Sequence, residues 1–300
     1  MVLVLVSSVG CGSGDGGPNG GDPDGAVGDT PDAATAGFTR LLETPWTLPA
    51  GSEIYLCTRW TAPRDMFVNE FSPVIPYGTH HTVVTVESGS SQPDGSRECS
   101  NPFEGGPRQI YGTGAGSVPV KYPDGVAIKI AQGQQVVLNL HLFNVSDSEL
   151  SGTSAIDVKE VPQNEVVNEA QSELVGKVLG LTVAPGTSTQ SATCTVQSNL
   201  NVFLVQPHMH QLGVHLKGTL IPAGGGADIV LFDDAYDFDA QVHVLLDPIQ
   251  PLAAGDQLTV TCTYDNTTGQ TVTFGESSDD EMCFLGLAVY PSNQTLCTTF

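Results

Sequence analysis

Two tandem antiparallel β-sandwich domains, jelly-roll-like and all-β, are the fold class predicted by this 300-residue sequence. Three observations carry the prediction. Short apolar or alternating runs recur from residue 38 onward, each closed by Gly, Pro, Asn or Asp. No stretch has the apolar period of a long amphipathic helix. Polar VPQNEVVNEAQSE interrupts the runs near residues 160 to 172. Short strands without intervening helices favour antiparallel sandwiches over βαβ units.

The runs divide at that polar stretch. IYLCTRW, HTVVTV, VAIKI, VVLNLHLF and SAIDVKEV precede it or lead into it. LTVA, TCTVQ, NVFLVQPHMH, HLKGTLI, DIVLF, QVHVLL, DQLTVTCTY, QTVTF and CFLGLAVY follow. Between them QNEVVNEAQSEL reads as a short helix or as a loop between domains. The expected domains are residues 38–165 and 166–300, with no sequence repeat relating them. Residues 12–37 are mostly Gly, Asp, Pro and Ala, the composition of a disordered tether. Residues 1–11, MVLVLVSSVGC, resemble the end of a bacterial lipoprotein signal that acylates Cys11. The basic region of such a signal is missing and Ser8 is a poor residue three before the cysteine, so this reading puts the true start upstream. The expected location is the cell envelope or the exterior, secreted or lipid-anchored through Cys11. No later stretch is apolar and long enough to span a bilayer.

Lys and Arg number 10 against 33 Asp and Glu, a net charge of −23. So acidic a surface argues against nucleic acid and anionic membranes as partners, leaving an N-terminal lipid as the expected membrane contact. Of 7 cysteines, six remain after Cys11: Cys57, Cys99, Cys194, Cys262, Cys283 and Cys297. An even set behind an export signal reads as disulfides, and the absence of Cys-x-x-Cys argues against a zinc ribbon. The sequence does not choose the pairing.

Five of the 7 histidines fall into two sets. In NVFLVQPHMH, strand alternation puts Gln206, His208 and His210 on one face, with Phe203 and Val205 opposite in the core. Gln206 is thus a neighbour of whatever a metal there would hold. Far downstream Met282 precedes Cys283, where a disulfide would restrain it. Two imidazoles and a thioether suit copper, Cu(I) especially, and fit magnesium or calcium poorly. The other set is His80, His81 and His141. His141 lies on the polar face of VVLNLHLF with Asn139, a candidate to orient the ligands or substrate. His80 and His81 would face apart on a regular strand, so both reach one metal only if the backbone bends, as Tyr77-Gly78 permits. His215 and His243 lack partners at ligand spacing and read as surface or core residues. Taken singly, a His-x-His or a Met beside a buried Cys is usually structural.

Together, EIYLC, THH, LNLH, HMHQLG and SSDDEMC resemble the copper type II ascorbate-dependent monooxygenases, in order and spacing, from about Ile54 to Cys297. The animal members include peptidylglycine α-hydroxylating and dopamine β-monooxygenases; this chain resembles a bacterial member. The resemblance implies an electron-transfer copper on His80, His81 and His141, and a catalytic, dioxygen-activating copper on His208, His210 and Met282. It implies the pairs Cys57–Cys99, Cys194–Cys297 and Cys262–Cys283, and a solvent cleft separating the coppers. The implied reaction hydroxylates a C–H bond of a small organic substrate, using O2 and a one-electron reductant, ascorbate or another. Where peptide-amidating members hold a carboxylate with arginine and tyrosine, this chain has Gln206 and Gly286. Neither replaces an arginine fork, so a glycine-extended peptide is disfavoured and a roomier pocket expected. The alternative is a non-enzymatic cell-surface copper carrier. An adhesion or carbohydrate-binding sandwich would leave Met282 and the paired histidines unexplained.

Overall fold

The structure is a computed structural model, and it describes residues 37–88, 92–99, 108–114 and 116–297. The signal-like segment with Cys11 and the tether to residue 36 lie outside the described residues.

The first half contributes β1 (Thr39–Leu48), β2 (Glu53–Thr61), β3 (Met66–Val74), β4 (Thr79–Ser88) and β5 (Gly95–Glu98). It continues with β6 (Arg108–Gly114), β7 (Val120–Lys121), β8 (Val126–Ile130), β9 (Gln134–Phe143) and β10 (Leu150–Glu160). The second half contributes β11 (Asn168–Gly176), β12 (Thr182–Val183), β13 (Gly186–Thr195), β14 (Leu200–Met209) and β15 (Gly213–Ile221). β16 (Ile229–Ala235), β17 (Val244–Leu252), β18 (Gln257–Asn266), β19 (Val272–Thr273) and β20 (Cys283–Tyr290) complete it. A 3-10 turn at Gln163–Glu165 is the one helical element among the described residues.

Three larger sheets hold most of these strands. One runs β1-β10-β3-β8-β11-β20-β14-β17, with β7 beside β3. A five-stranded sheet, β5-β2-β9-β4-β6, belongs to the first half, and a four-stranded one, β13-β18-β15-β16, to the second. Alternating side chains from the long sheet and the first-half sheet share one core, including Phe71, Ile128, Leu138, Leu140 and Ile156. A second core lies between the long sheet and the second-half sheet, around Val205, Leu216, Val260, Tyr264 and Leu285. The long sheet is continuous because β11 pairs in parallel with β8, Asn168 opposite Val126 and Ala170 opposite Ile128.

That junction corrects the reading of QNEVVNEAQSEL. Gln163–Glu165 is a single 3-10 turn, and from Asn168 the segment is strand. Its polar residues are tolerated because β11 is only partly buried. The disulfides are Cys57–Cys99, Cys194–Cys297 and Cys262–Cys283, the pairing that the family resemblance implies.

Two irregularities position the histidines. The β4–β9 ladder pairs Thr79 with Leu142 and then His81 with His141, leaving His80 as an extra bulged residue. Gly78, at a positive φ of 100°, precedes it, so the bend expected at Tyr77-Gly78 is real. In β14 the register slips between Val202 and Leu204. Phe203 therefore packs in the first core, while Val205 packs in the second. Strict alternation put both in one core; the bulge separates them.

Candidate metal centre

Cross-strand register assembles the first histidine set. Tyr55 on β2 lies opposite His141 on β9, His141 opposite His81 on β4, and His81 opposite Gly114 on β6. The bulge turns His80 back toward this row. His80 Nδ1 stands 3.1 Å from His81 Nδ1, and His141 Nδ1 stands 3.3 Å from the same atom. All three rings are buried. His141 Nε2 donates to Glu53 Oε1 at 2.6 Å, which leaves its Nδ1 lone pair for the cluster. Tyr55 stacks on the His141 ring at 4.5 Å, and Phe238 stacks on His80 at 3.9 Å.

Electrostatics favour neutral rings. Burial, then His141 and His208, push His80 down to about 3, and burial holds His81 well below its usual range. The His141 N–H holds the Glu53 carboxyl down to about 2. Three Nδ1 atoms converge, with His80 and His81 held neutral, and they cannot all be satisfied by one another, whereas one soft or borderline cation satisfies all three. The donor set fits copper.

The second set stands at the end of β14. His208 Nδ1 donates to Gln241 Oε1 at 3.1 Å, and His210 Nδ1 donates to the Asp280 carbonyl at 3.1 Å. Both rings therefore offer Nε2 to a metal. Burial, opposed by the Gln241 bond, lowers His208; burial, then His208, takes His210 to about 3. Glu281 fixes the surrounding backbone. Its Oε2 accepts from the His210 and Met282 N–H groups, each at 3.1 Å, and its Oε1 accepts from Leu212 N–H at 2.7 Å. Burial raises this carboxyl to about 7 despite those three donors. Tyr264 donates its hydroxyl to the Met282 carbonyl at 2.9 Å.

Both sets border one cavity of about 60 Å³, lined by His81, His208, His210 and Met282 among others. The rings of His81 and His208 are 6.2 Å apart, centre to centre. Among the described residues the two sets thus meet without the separating solvent cleft expected from the family resemblance. Gln206 and Gly286 line the same cavity, paired across β14 and β20. Gln206 Nε2 donates to the Gly112 carbonyl at 3.1 Å. Asn139 is placed elsewhere. Its amide donates to Cys57 Sγ and Cys99 Sγ at 3.3 and 3.2 Å, so it supports a disulfide and does not line the cavity. His215 sits beside Asp233 at 3.2 Å, and His243 stacks on Tyr111 at 5.2 Å. Glu53, Gln241 and Glu281 were not singled out from sequence. The alternation Glu53-x-Tyr55-x-Cys57 puts an acid on the row that carries His141, but only the β2–β9 register reveals it.

Comparison with known proteins follows the same residues. Residues 180–299 match the family model for the copper type II ascorbate-dependent monooxygenase, C-terminal domain. DBH-like monooxygenase protein 1 of Mus musculus is 32% identical over 104 residues, 34% of this chain and 17% of that protein. Putative DBH-like monooxygenase protein 2 of Homo sapiens is 24% identical over 278 residues, 83% of this chain and 56% of that protein. The chain thus spans about half, or less, of the length of these curated relatives. Among solved structures, the major capsid protein P2 from Bacteriophage PM2 aligns at 10% identity and a TM-score of 0.34, covering 85% of this chain and 100% of that one; so low a score carries no argument. His208, His210 and Met282 lie inside the matched segment, so residues 180–299 are similar to the C-terminal domain of the copper type II ascorbate-dependent monooxygenases.

Proposed function

We propose that the protein hydroxylates a C–H bond of a small organic molecule with O2 and an external one-electron reductant of the ascorbate type. The observation that carries this reading is the meeting of two donor sets, one all-nitrogen and one with a thioether, at a single cavity. His80, His81 and His141 would hold one copper through Nδ1. His208 and His210, through Nε2, and Met282, through its sulfur, would hold a second. Copper in these sites would supply one-electron redox chemistry and dioxygen activation.

The chain's own residues prepare the rest. Glu53, Gln241 and the Asp280 carbonyl fix each ring's tautomer, so a lone pair already faces inward. Leu174, Met282 and Phe284 give the cavity an apolar wall against which a C–H bond can rest. Burial of five of the six ligands, His208 being only partly buried, keeps bulk water from competing for their lone pairs. Attachment to the cell envelope through Cys11 belongs to the same proposal.

Anaerobic copper titration and reductant-driven oxygen uptake test it, with His141→Ala and Met282→Ile beside the wild type. The expected result is two coppers per wild-type chain, with oxygen uptake lost in both variants. Two coppers without oxygen uptake over a broad substrate panel would make the protein a copper carrier instead. One copper or none would remove at least one of the two sites.

A further inference from the structure

Gln241 occupies an unusual place between the two histidine sets. It comes from the loop after β16, yet it is anchored on the first half, where Ser117 Oγ donates to its carbonyl at 3.0 Å. The same hydroxyl accepts from Gly114 N–H at 3.1 Å. Its side chain lies flat on Gly114, opposite His81. A Cβ at position 114 would stand 2.9 Å from the Gln241 amide carbon, so only glycine leaves room for it. The side chain is 2% exposed and lines the cavity.

Its amide orientation is fixed by chemistry. If His208 gives Nε2 to a metal, its Nδ1 must carry a proton, and Gln241 must meet it with Oε1. Nε2 is then left as a buried donor at the cavity, and it has no hydrogen-bond partner. An unpaired buried donor is costly, so its retention asks for an acceptor that arrives with a ligand.

The remaining polar wall is of one kind. Gln109, Gln206 and Thr113 are uncharged, and among the described residues no Lys or Arg lines the cavity. A carboxylate substrate would find no cationic side chain to pair with. Among the described residues Glu276 is the one carboxylate in the lining, and burial and Asp280 raise its pKa, which weakens it as a seat for an ammonium group.

We infer that the cavity takes an uncharged substrate and holds its carbonyl or hydroxyl oxygen on Gln241 Nε2, beside His208. This rests on the monooxygenase reading and adds the substrate class. Gln241 is a specificity residue in this account, since it touches substrate directly while it also orients a ligand.

The test uses the copper-loaded, reduced full chain under anaerobic conditions, with ligand binding followed by NMR. Three probes of similar size differ in charge at pH 7: acetophenone, benzoate and benzylamine. Acetophenone is expected to bind at least about tenfold more tightly than either ion, and Gln241→Glu to weaken it about tenfold, the worth of roughly one hydrogen bond. The glutamate still accepts from His208 Nδ1, so copper content should stay at the wild-type level. Equal or tighter binding of benzoate, or no detectable acetophenone binding, overturns the inference. Preference for benzylamine that disappears in Glu276→Gln overturns it in favour of an acidic anchor. Unchanged acetophenone affinity in Gln241→Glu also overturns it. Should that variant fail to fold, the wild-type ranking of the three probes decides alone. Copper content and oxygen uptake are read separately, so their loss in the wild type would sink the monooxygenase reading, whereas a wrong probe ranking with both intact sinks only the inference about Gln241.

Discussion

Glu53 shows how much a single carboxylate contributes at this site. It accepts from His141 Nε2 at 2.6 Å and from Ser278 Oγ at 3.0 Å, so it ties a first-half ligand to the segment that carries Met282. Glu53→Gln should lower copper affinity at the His80, His81 and His141 site by about 10–100-fold while sparing the other site. Competition against a Cu(I) chelator, one site at a time, reads this out. The neutral histidines also set a pH dependence for the metal-free chain. His80 and His210 stay neutral down to about 3, whereas the unfolded chain protonates them near 6.5. Their contribution is intact above pH 6.5 and is lost progressively as pH falls toward 3. Glu53, held down to about 2, acts in the same sense below pH 4.5. Glu281, raised to about 7, acts oppositely, its cost disappearing as pH falls toward 4.5. With His81 also depressed, the histidines outweigh it. Calorimetry should show the melting temperature of the metal-free protein falling from pH 7 to pH 4; a flat or rising profile would contradict the buried neutral rings. The ligands themselves were legible as His-x-His, His-His and a Met beside a Cys. Their orienting partners were not, because Gln241 and the Asp280 carbonyl are 33 and 70 residues away from the rings they hold.

At the scale of elements, two turns explain sequence features that point elsewhere. Asn144 and Asn266 open N-x-S/T sequences and could be taken for glycan acceptors. Both amides are buried and fully used. Asn144 Oδ1 accepts from Ser146 N–H and hydroxyl, and its Nδ2 reaches the Leu48, Pro49 and Ser148 carbonyls. Asn266 repeats the pattern with Thr268, Val183 and Gln270. Asn144→Ala and Asn266→Ala should each cost about 2–3 kcal/mol, since backbone carbonyls and N–H groups lose partners at once. Denaturant titration measures that cost. The strands with clean alternation or apolar runs, such as β9 and β20, were readable. Six were missed, the short β5 and β7 among them, and the other four for identifiable reasons. β1 carries Pro45 within its alternation, β3 has polar Asn69 and Glu70 before Pro73, and β6 includes Gly112 and Gly114. β11 is polar and joins the sheet through a parallel partner that no local pattern announces.

For the molecule as a whole, the two halves answer each other although no repeat is visible in the sequence. In each, a cysteine-bearing strand, β2 or β13, pairs with a strand that runs into one of the two asparagine turns, β9 or β18. Burial and pairing reproduce the same plan from different residues, which is why sequence comparison of the halves finds nothing. The long sheet then runs through both halves by way of β8 and β11, and the Ser117 hydroxyl on the Gln241 carbonyl and the Gln206 amide on the Gly112 carbonyl add links between them. Electrons passing between the histidine sets would accordingly travel inside one body, with no opening and closing of lobes between donor and acceptor. Under the proposed function, turnover would then not be paced by large movements through solvent. Raising the viscosity with sucrose should leave kcat nearly unchanged, whereas an inverse dependence would mean that the continuous sheet parts during each cycle. A ladder of three residue pairs, Asn168 to Ala170 against Val126 to Ile128, thereby becomes a statement about friction.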